Sequence, residues 1–276
     1  MESTNELFLI KPKDLELFSG LLISEAAAAV DDPNVLTVGV AHGALGCGAI
    51  SVAFDTEVGD ILSLFVAESE RRQGAGRALL EGVAASAKRM GVKRLQIVCE
   101  TAAVPGFADF LTALGFTCIQ AIPRFRASLE QLGGMSLPDV PIQNIYPMSE
   151  LPSRALRNYN QMVYEEPDRL LYLDPDEIDP ELSGFCLTSD NLLGGFTAIA
   201  RQRNGLELIN TYISQECIRY MPALFRFSLN NAGAALPPET PVLMDAVTRP
   251  SEQLLRHLLQ GLDVQESRVE TFTRLV

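Results

Sequence analysis

Histidine, cysteine and basic residues are all scarce in this sequence of 276 residues. Only two histidines occur, His42 and His257. That leaves little for a histidine metal site, so no metal is expected, and both read as ordinary hairpin-loop and helix-surface residues. The five cysteines (Cys47, Cys99, Cys118, Cys186 and Cys217) form an odd set without a CxxC pair, so neither a disulfide framework nor a zinc knuckle is indicated. Cys99 and Cys118 fall in strand patterns and read as buried packing residues. Lys and Arg number 22 against 35 Asp and Glu, for a formal net charge of −13. This balance argues against nucleic acid, whose phosphates call for a surplus of cations. An anionic membrane surface is disfavoured for the same reason. The opening MESTNELFLIKPKD has no basic segment followed by an apolar stretch, so no targeting signal is expected. Charge is absent from Asn34 to Phe54, a run long enough to raise a membrane span. Gly39, Gly43, Gly46 and Gly48 interrupt it, however, and NVLTVGV and CGAISVAF flank the Gly-rich AHGALG as the arms of a buried hairpin. The expected setting is reduced and cytoplasmic.

What is present is a globular composition: 47% hydrophobic and 21% charged residues, which excludes a disordered chain. The length suits two domains of roughly 140 residues each. The first half reads β-α-β-β-β-α-β-α-β, with one helix running from Lys13 to the Asp31-Asp32-Pro33 stop. A second helix carries Leu79, Val83, Ala87 and Met90 on one face and ends at Lys88, Arg89 and Gly91. Glycines 133 and 134 with Pro138 and Pro141 mark a linker. The expected division is 1–130, a linker at 131–145, and 146–276. The halves also repeat. Asp60–Val66 lies over Glu207–Ile213, an offset of 147 that also sets Gly48 on Gly195, Arg94 on Pro241 and Phe125 on Phe272. Three strand patterns sharing one gap-free offset favour two copies of one fold.

The strongest motif is Arg71-Arg72-Gln73-Gly74-Ala75-Gly76-Arg77, between a strand and an amphipathic helix. Its glycines allow a tight turn that gathers backbone N–H groups, and the helix N-terminus adds partial positive charge, so the loop suits a phosphate or pyrophosphate. Three arginines concentrate cationic charge there. Two other phosphate-binding readings fail. A P-loop needs Lys and Ser or Thr after the second Gly, where Arg77-Ala78 stands. A dinucleotide fingerprint needs glycines directly after the strand, where Glu68 to Gln73 intervene.

RRQGAG, in this setting, resembles the Arg/Gln-x-x-Gly-x-Gly/Ala signature of the GNAT superfamily of acyl-CoA-dependent N-acyltransferases, and LTALGF resembles that family's helix-ending segment. The resemblance covers about Val38 to Leu129. It implies a fold class of α/β (α+β): two tandem GNAT-like domains, each a mixed, mostly antiparallel sheet flanked by helices. It also implies that Arg71, Arg72, Gln73, Gly74, Ala75, Gly76 and Arg77 hold the pyrophosphate of acetyl-CoA as co-substrate. The backbone of Leu64, Phe65 and Val66 would pair with the pantetheine arm, and an amine would attack the thioester directly.

An alkylammonium of pKa about 10 must lose a proton before it attacks. Asp60, where some family members carry a glutamate base, and Glu100, acting through a water, are the candidate acceptors. The family's usual Tyr, which protonates the departing thiolate, is replaced by Leu111. In the second half the offset carries the loop onto Ile218–Leu224, where Met221 and Pro222 remove the anion nest. That copy is expected not to bind CoA, and instead to shape the acceptor cleft or to stabilise the first copy or a dimer. Eight Asp or Glu against one Arg between Glu165 and Glu181 read as a solvated loop. The expected partner is a small-molecule or peptide amine, with a homodimer left open. The rival to an N-acetyltransferase is a non-catalytic acyl-CoA sensor or regulatory protein.

Overall fold

A computed structural model describes residues 6–18, 20–42, 45–138, 140–166 and 170–276. The first half contains β1 (Leu7–Leu9), α1 (Ser24–Ala28), β2 (Val35–His42), β3 (Leu45–Phe54), β4 (Val58–Val66), α2 (Ala75–Met90), β5 (Arg94–Cys99), α3 (Phe107–Ala113) and β6 (Thr117–Ser128). The second half contains α4 (Leu129–Gly133), β7 (Tyr146–Pro147), α5 (Ser153–Glu165), β8 (Gly184–Leu187), β9 (Leu193–Gln202), β10 (Gly205–Ile213), α6 (Met221–Ala235), β11 (Pro241–Asp245), α7 (Arg249–Leu258) and β12 (Gln265–Leu275). Gly43 of the expected hairpin turn, and the 167–169 part of the acidic stretch, lie outside the described residues. The single helix expected from Lys13 is instead a 3-10 turn at Pro12–Asp14 and the five-residue α1. Gly20, at φ +79°, takes a left-handed conformation that no helix continues.

The chain forms two compact units, Met1–Ala121 with Val269–Val276, and Ile122–Arg268. Relative to a division at 130 and 146, the strand segments 122–128 and 269–276 trade places. The first unit has strand order β1-β2-β3-β4-β5-β12, and the second β6-β11-β10-β9-β8-β7. Segment 131–145 belongs to the second unit and buries Leu132 and Ile145 there.

The offset of 147 is visible rung by rung. Gly59 pairs with Leu95 in a parallel ladder, as does Leu206 with Val242. Leu62 is an extra residue in β4 against β3, and Ile209 is the matching extra residue in β10 against β9. The exchange is reciprocal too. Phe272 of β12 faces Ile97 of β5, and Phe125 of β6 faces Met244 of β11. Both phenylalanines are buried, each in the core of the other half's strands.

Glycines 48 and 195 persist for a steric reason. A Cβ on Gly48 would lie 3.1 Å from the Phe65 carbonyl and 3.2 Å from Leu79, and on Gly195 3.0 Å from the Tyr212 carbonyl and 3.3 Å from Leu224. In both copies the strand runs too close to its neighbour and to the covering helix for a side chain.

In the first unit α2 and α3 cover one sheet face through Leu79, Leu80, Val83, Ala84, Ala87, Leu111 and Leu114. Met90, placed on that stripe by spacing, is exposed at the last turn instead. No helix among the described residues is long and apolar enough to cross a membrane.

Candidate functional site

The site is organised by how β4 ends. Its parallel ladder with β5 runs only from Val58 to Asp60, although β4 continues to Val66. Beyond Asp60 no pairing of the two strands is found among the described residues, so they part, and the later half of β4 keeps one open edge. A 3-10 turn, Glu68–Glu70, then leads into the loop. Arg72 at φ 64° and Gly74 at φ 88° are both left-handed. For arginine that conformation costs about 1–2 kcal/mol, the kind of strain held at binding loops. Such local reversals turn successive N–H groups into a concavity.

Helix α2 follows with no side-chain cap. The first in-helix bond is Ala78 N–H to the Gly74 carbonyl at 2.9 Å. The amides of Ala75, Gly76 and Arg77 precede it, in the turn where a helix supplies no acceptor. Gly76 has a packing reason as well, since its Cβ would lie 3.1 Å from the Phe110 ring of α3.

The loop side chains divide by role. Arg71 Nε donates to the Val66 carbonyl at 3.1 Å, and its guanidinium lies 5.8 Å from the centre of the Phe65 ring. Gln73 donates its amide to the Ser69 carbonyl at 3.0 Å. Both brace the bend, and the Val66 carbonyl, expected for pantetheine, already holds one donor. Arg72 and Arg77 are exposed at the loop and the first turn. Leu64 and Phe65 sit opposite Ile50 and Ala49 of β3, on the stretch of β4 that has left β5.

Ser63, just past the parting, has a buried hydroxyl oxygen with no hydrogen-bond partner. An orphaned polar atom beside an open strand edge fits a ligand with amide groups of its own, as the pantetheine arm has. Sequence reading had no signal for Ser63 beyond a polar residue in an apolar strand.

The carboxylates are placed unequally. Asp60 is exposed, on the last rung before β4 and β5 separate, opposite Gln96. Glu100 follows β5 directly and opens the 3-10 turn Thr101–Ala103. A third carboxylate, Glu270, arrives on the exchanged strand β12 opposite Cys99, and it accepts a hydrogen bond from the Thr101 hydroxyl. Burial, followed by the Glu270 charge, pushes the Cys99 thiol up to about 11. Cys118, expected to be buried, is exposed. Leu111 is fully buried in the α2–α3 core.

The second unit repeats the frame without the loop. A 3-10 turn, Ile218–Tyr220, runs straight into α6 with Tyr220 at φ −88° and Met221 at φ −53°. Pro222 in the first turn has no N–H. Where β10 and β11 part, Tyr159, Leu170, Leu171 and Asn210 line a cavity of about 30 Å³, room for about one water. The Leu171 carbonyl accepts from both the Tyr159 hydroxyl (2.8 Å) and the Asn210 amide (3.1 Å).

Against known families, residues 6–116 match the profile of the acetyltransferase (GNAT) family. Over those residues the chain is similar to the GNAT acetyltransferase family. The chain as a whole has the tandem GNAT fold. A tandem GNAT protein from the clavulanic acid biosynthesis pathway superposes with a TM-score of 0.67 at 16% identity, covering 98% of each chain. A GCN5-related N-acetyltransferase from Sphaerobacter thermophilus gives 0.63 at 14% identity over 98% of this chain and 95% of its own. One from Kribbella flavida gives 0.56 at 16% identity over 99% and 71%. At such identities the likeness is one of fold. No curated protein sequence matches the chain. In GNAT terms the first unit keeps the signature loop as a bend of two left-handed residues, and the second keeps the strands and loses the bend.

Proposed function

We propose that the first unit binds acetyl-CoA at residues 71–77 and moves its acetyl group to the amine of a small molecule or peptide. The observation carrying this reading is the uncapped start of α2. The amides of Ala75, Gly76 and Arg77 follow two left-handed residues, a donor set suited to a diphosphate at a helix N-terminus. The parting of β4 from β5 past Asp60 supports a pantetheine path along Leu64, Phe65 and Val66. The orphaned Ser63 hydroxyl supports the same path.

Under this reading the amine nitrogen attacks the thioester carbonyl carbon. A β4 backbone donor steadies the developing oxyanion, the C–S bond breaks, and the CoA thiolate takes a proton. Asp60, Glu100 or Glu270, directly or through a water, accepts the proton of the amine. A thiol of pKa about 8.5 is a fair leaving group without a tyrosine acid. The second unit, with Pro222 and a nearly filled parting, would bind no acyl-CoA.

The full burial of Leu111 at the position of the family's tyrosine favours one rival, a non-catalytic acyl-CoA sensor. Thermal shift with acetyl-CoA and CoA release over a panel of amines separate the two. Stabilisation with release supports the enzyme, stabilisation without release the sensor, and no stabilisation sinks both.

A further inference from the structure

At the far end of β2 and β3 a second cluster forms that the acyl-transfer reading does not use. Val38 and Val40 of β2 face the α2 side of the sheet, and by alternation so does His42. On β3, Ile50 and Val52 face the same side while Ala49 faces the other, so strict alternation would send Cys47 away from α2. It does not go there. Val40 pairs with Gly48 and Ala41 with Gly46, which leaves Cys47 as the extra residue of a β-bulge. The bulge turns the thiol to the α2 side, where it is 2% exposed. Glu70, the last residue of the 3-10 turn after β4, brings its carboxylate to His42 Nδ1 at 3.0 Å. The ligand atoms of His42, Cys47 and Glu70 all lie within 4.8 Å of one another.

We infer that His42, Cys47 and Glu70 form a binding site for one zinc-class divalent cation. A thiolate, an imidazole and a carboxylate together suit zinc or another late first-row ion over magnesium or calcium, which take oxygen ligands. A tetrahedral zinc holds its ligand atoms about 3.3–3.6 Å apart, between the 3.0 Å of the His42–Glu70 pair and the 4.8 Å bound on the whole cluster, so binding would open that pair slightly. Thiolate and carboxylate neutralise the dication, the thiol proton passes to solvent, and water takes the fourth position. The cation would tie the β2 and β3 ends to the turn feeding residues 71–77, fixing that turn independently of what the loop binds. The site does not depend on the acetyl-CoA reading.

The test uses the full chain, stripped by chelator dialysis and titrated with cobalt(II) alone, followed by zinc. One equivalent of cobalt should bind with a thiolate charge-transfer band in the near ultraviolet, and zinc should displace it. Cys47→Ser should abolish the band, while Cys118→Ser, at an exposed thiol outside the cluster, should leave it unchanged. His42→Gln and Glu70→Gln should each weaken uptake by roughly 100-fold or more, a larger loss than the 10–100-fold typical of an outer partner. No band in the native chain, or an undiminished band in folded Cys47→Ser, overturns the site. If Cys47→Ser does not fold, the two partly exposed positions decide: unchanged uptake in both overturns it equally.

Discussion

Helix α2 is bounded by two glycines of nearly the same conformation, Gly74 at φ 88° before it and Gly91 at φ 81° after it. Replacing either with alanine forces an L-residue into the left-handed region at about 1–2 kcal/mol. Around Gly91 a Cβ meets nothing within 4 Å, so its cost is conformational alone. For a domain of this size each kcal/mol lowers Tm by roughly 2–4 °C, so Gly91→Ala should lose about 2–8 °C. Gly74→Ala should lose no more than that, because a loop can relax toward negative φ where a packed helix end cannot. That relaxation swings the Ala75 amide out of the concavity. A hydrogen bond to a charged group contributes about 1.5–3 kcal/mol, so the acetyl-CoA Kd of Gly74→Ala should rise by roughly 10- to 150-fold. Gly91→Ala should bind as the native chain does. Calorimetric Kd and Tm on the two variants supply the comparison. Equal Kd values for both, with Gly74→Ala folded, would remove the loop as the diphosphate site.

Four further outcomes follow from the same geometry. Calorimetry should count one acetyl-CoA per chain, and a count of two would refute the part given to Pro222. Phe272→Ala should cost about 3–5 kcal/mol and speed hydrogen exchange in β5 and α2. Phe125→Ala should instead loosen β11, and the opposite assignment would disprove the exchange of strands. Among Asp60→Asn, Glu100→Gln and Glu270→Gln, the proton acceptor is the one whose loss shifts the pH-rate profile, and turnover unchanged in all three leaves only solvent. Burial would raise the pKa of Asp179, but its bonds with Arg201 and the Leu182 and Glu181 amides outweigh burial and hold it below the usual range. A depressed folded pKa means this contribution is complete above the unfolded value of about 3.9 and fades as pH falls through the folded value. Asp179→Asn should therefore flatten the acid limb of stability, and an unchanged limb counts against the pairing.

The sequence determined the loop and the duplication. RRQGAG carries its chemistry in consecutive residues, and the 147 offset is a strand-period pattern preserved by burial, so both could be read along one dimension. The failure of the second loop was legible for the same reason, because Pro222 lacks an N–H in any fold. Other features were decided by pairing between residues far apart. Whether β6 closes its own half or the other is a choice between two edges that accept the same alternation. Phe125 and Phe272 read alike under either choice, and only the ladders to Met244 and Ile97 distinguish them. Glu270 reaches the end of β5 through that exchange alone. Cys47 read as one more apolar strand residue, because a bulge is a mismatch between two strands and neither strand alone says which residue is the extra one. His42, Cys47 and Glu70 lie in three separate elements, and register, turn and bulge together bring them to one point.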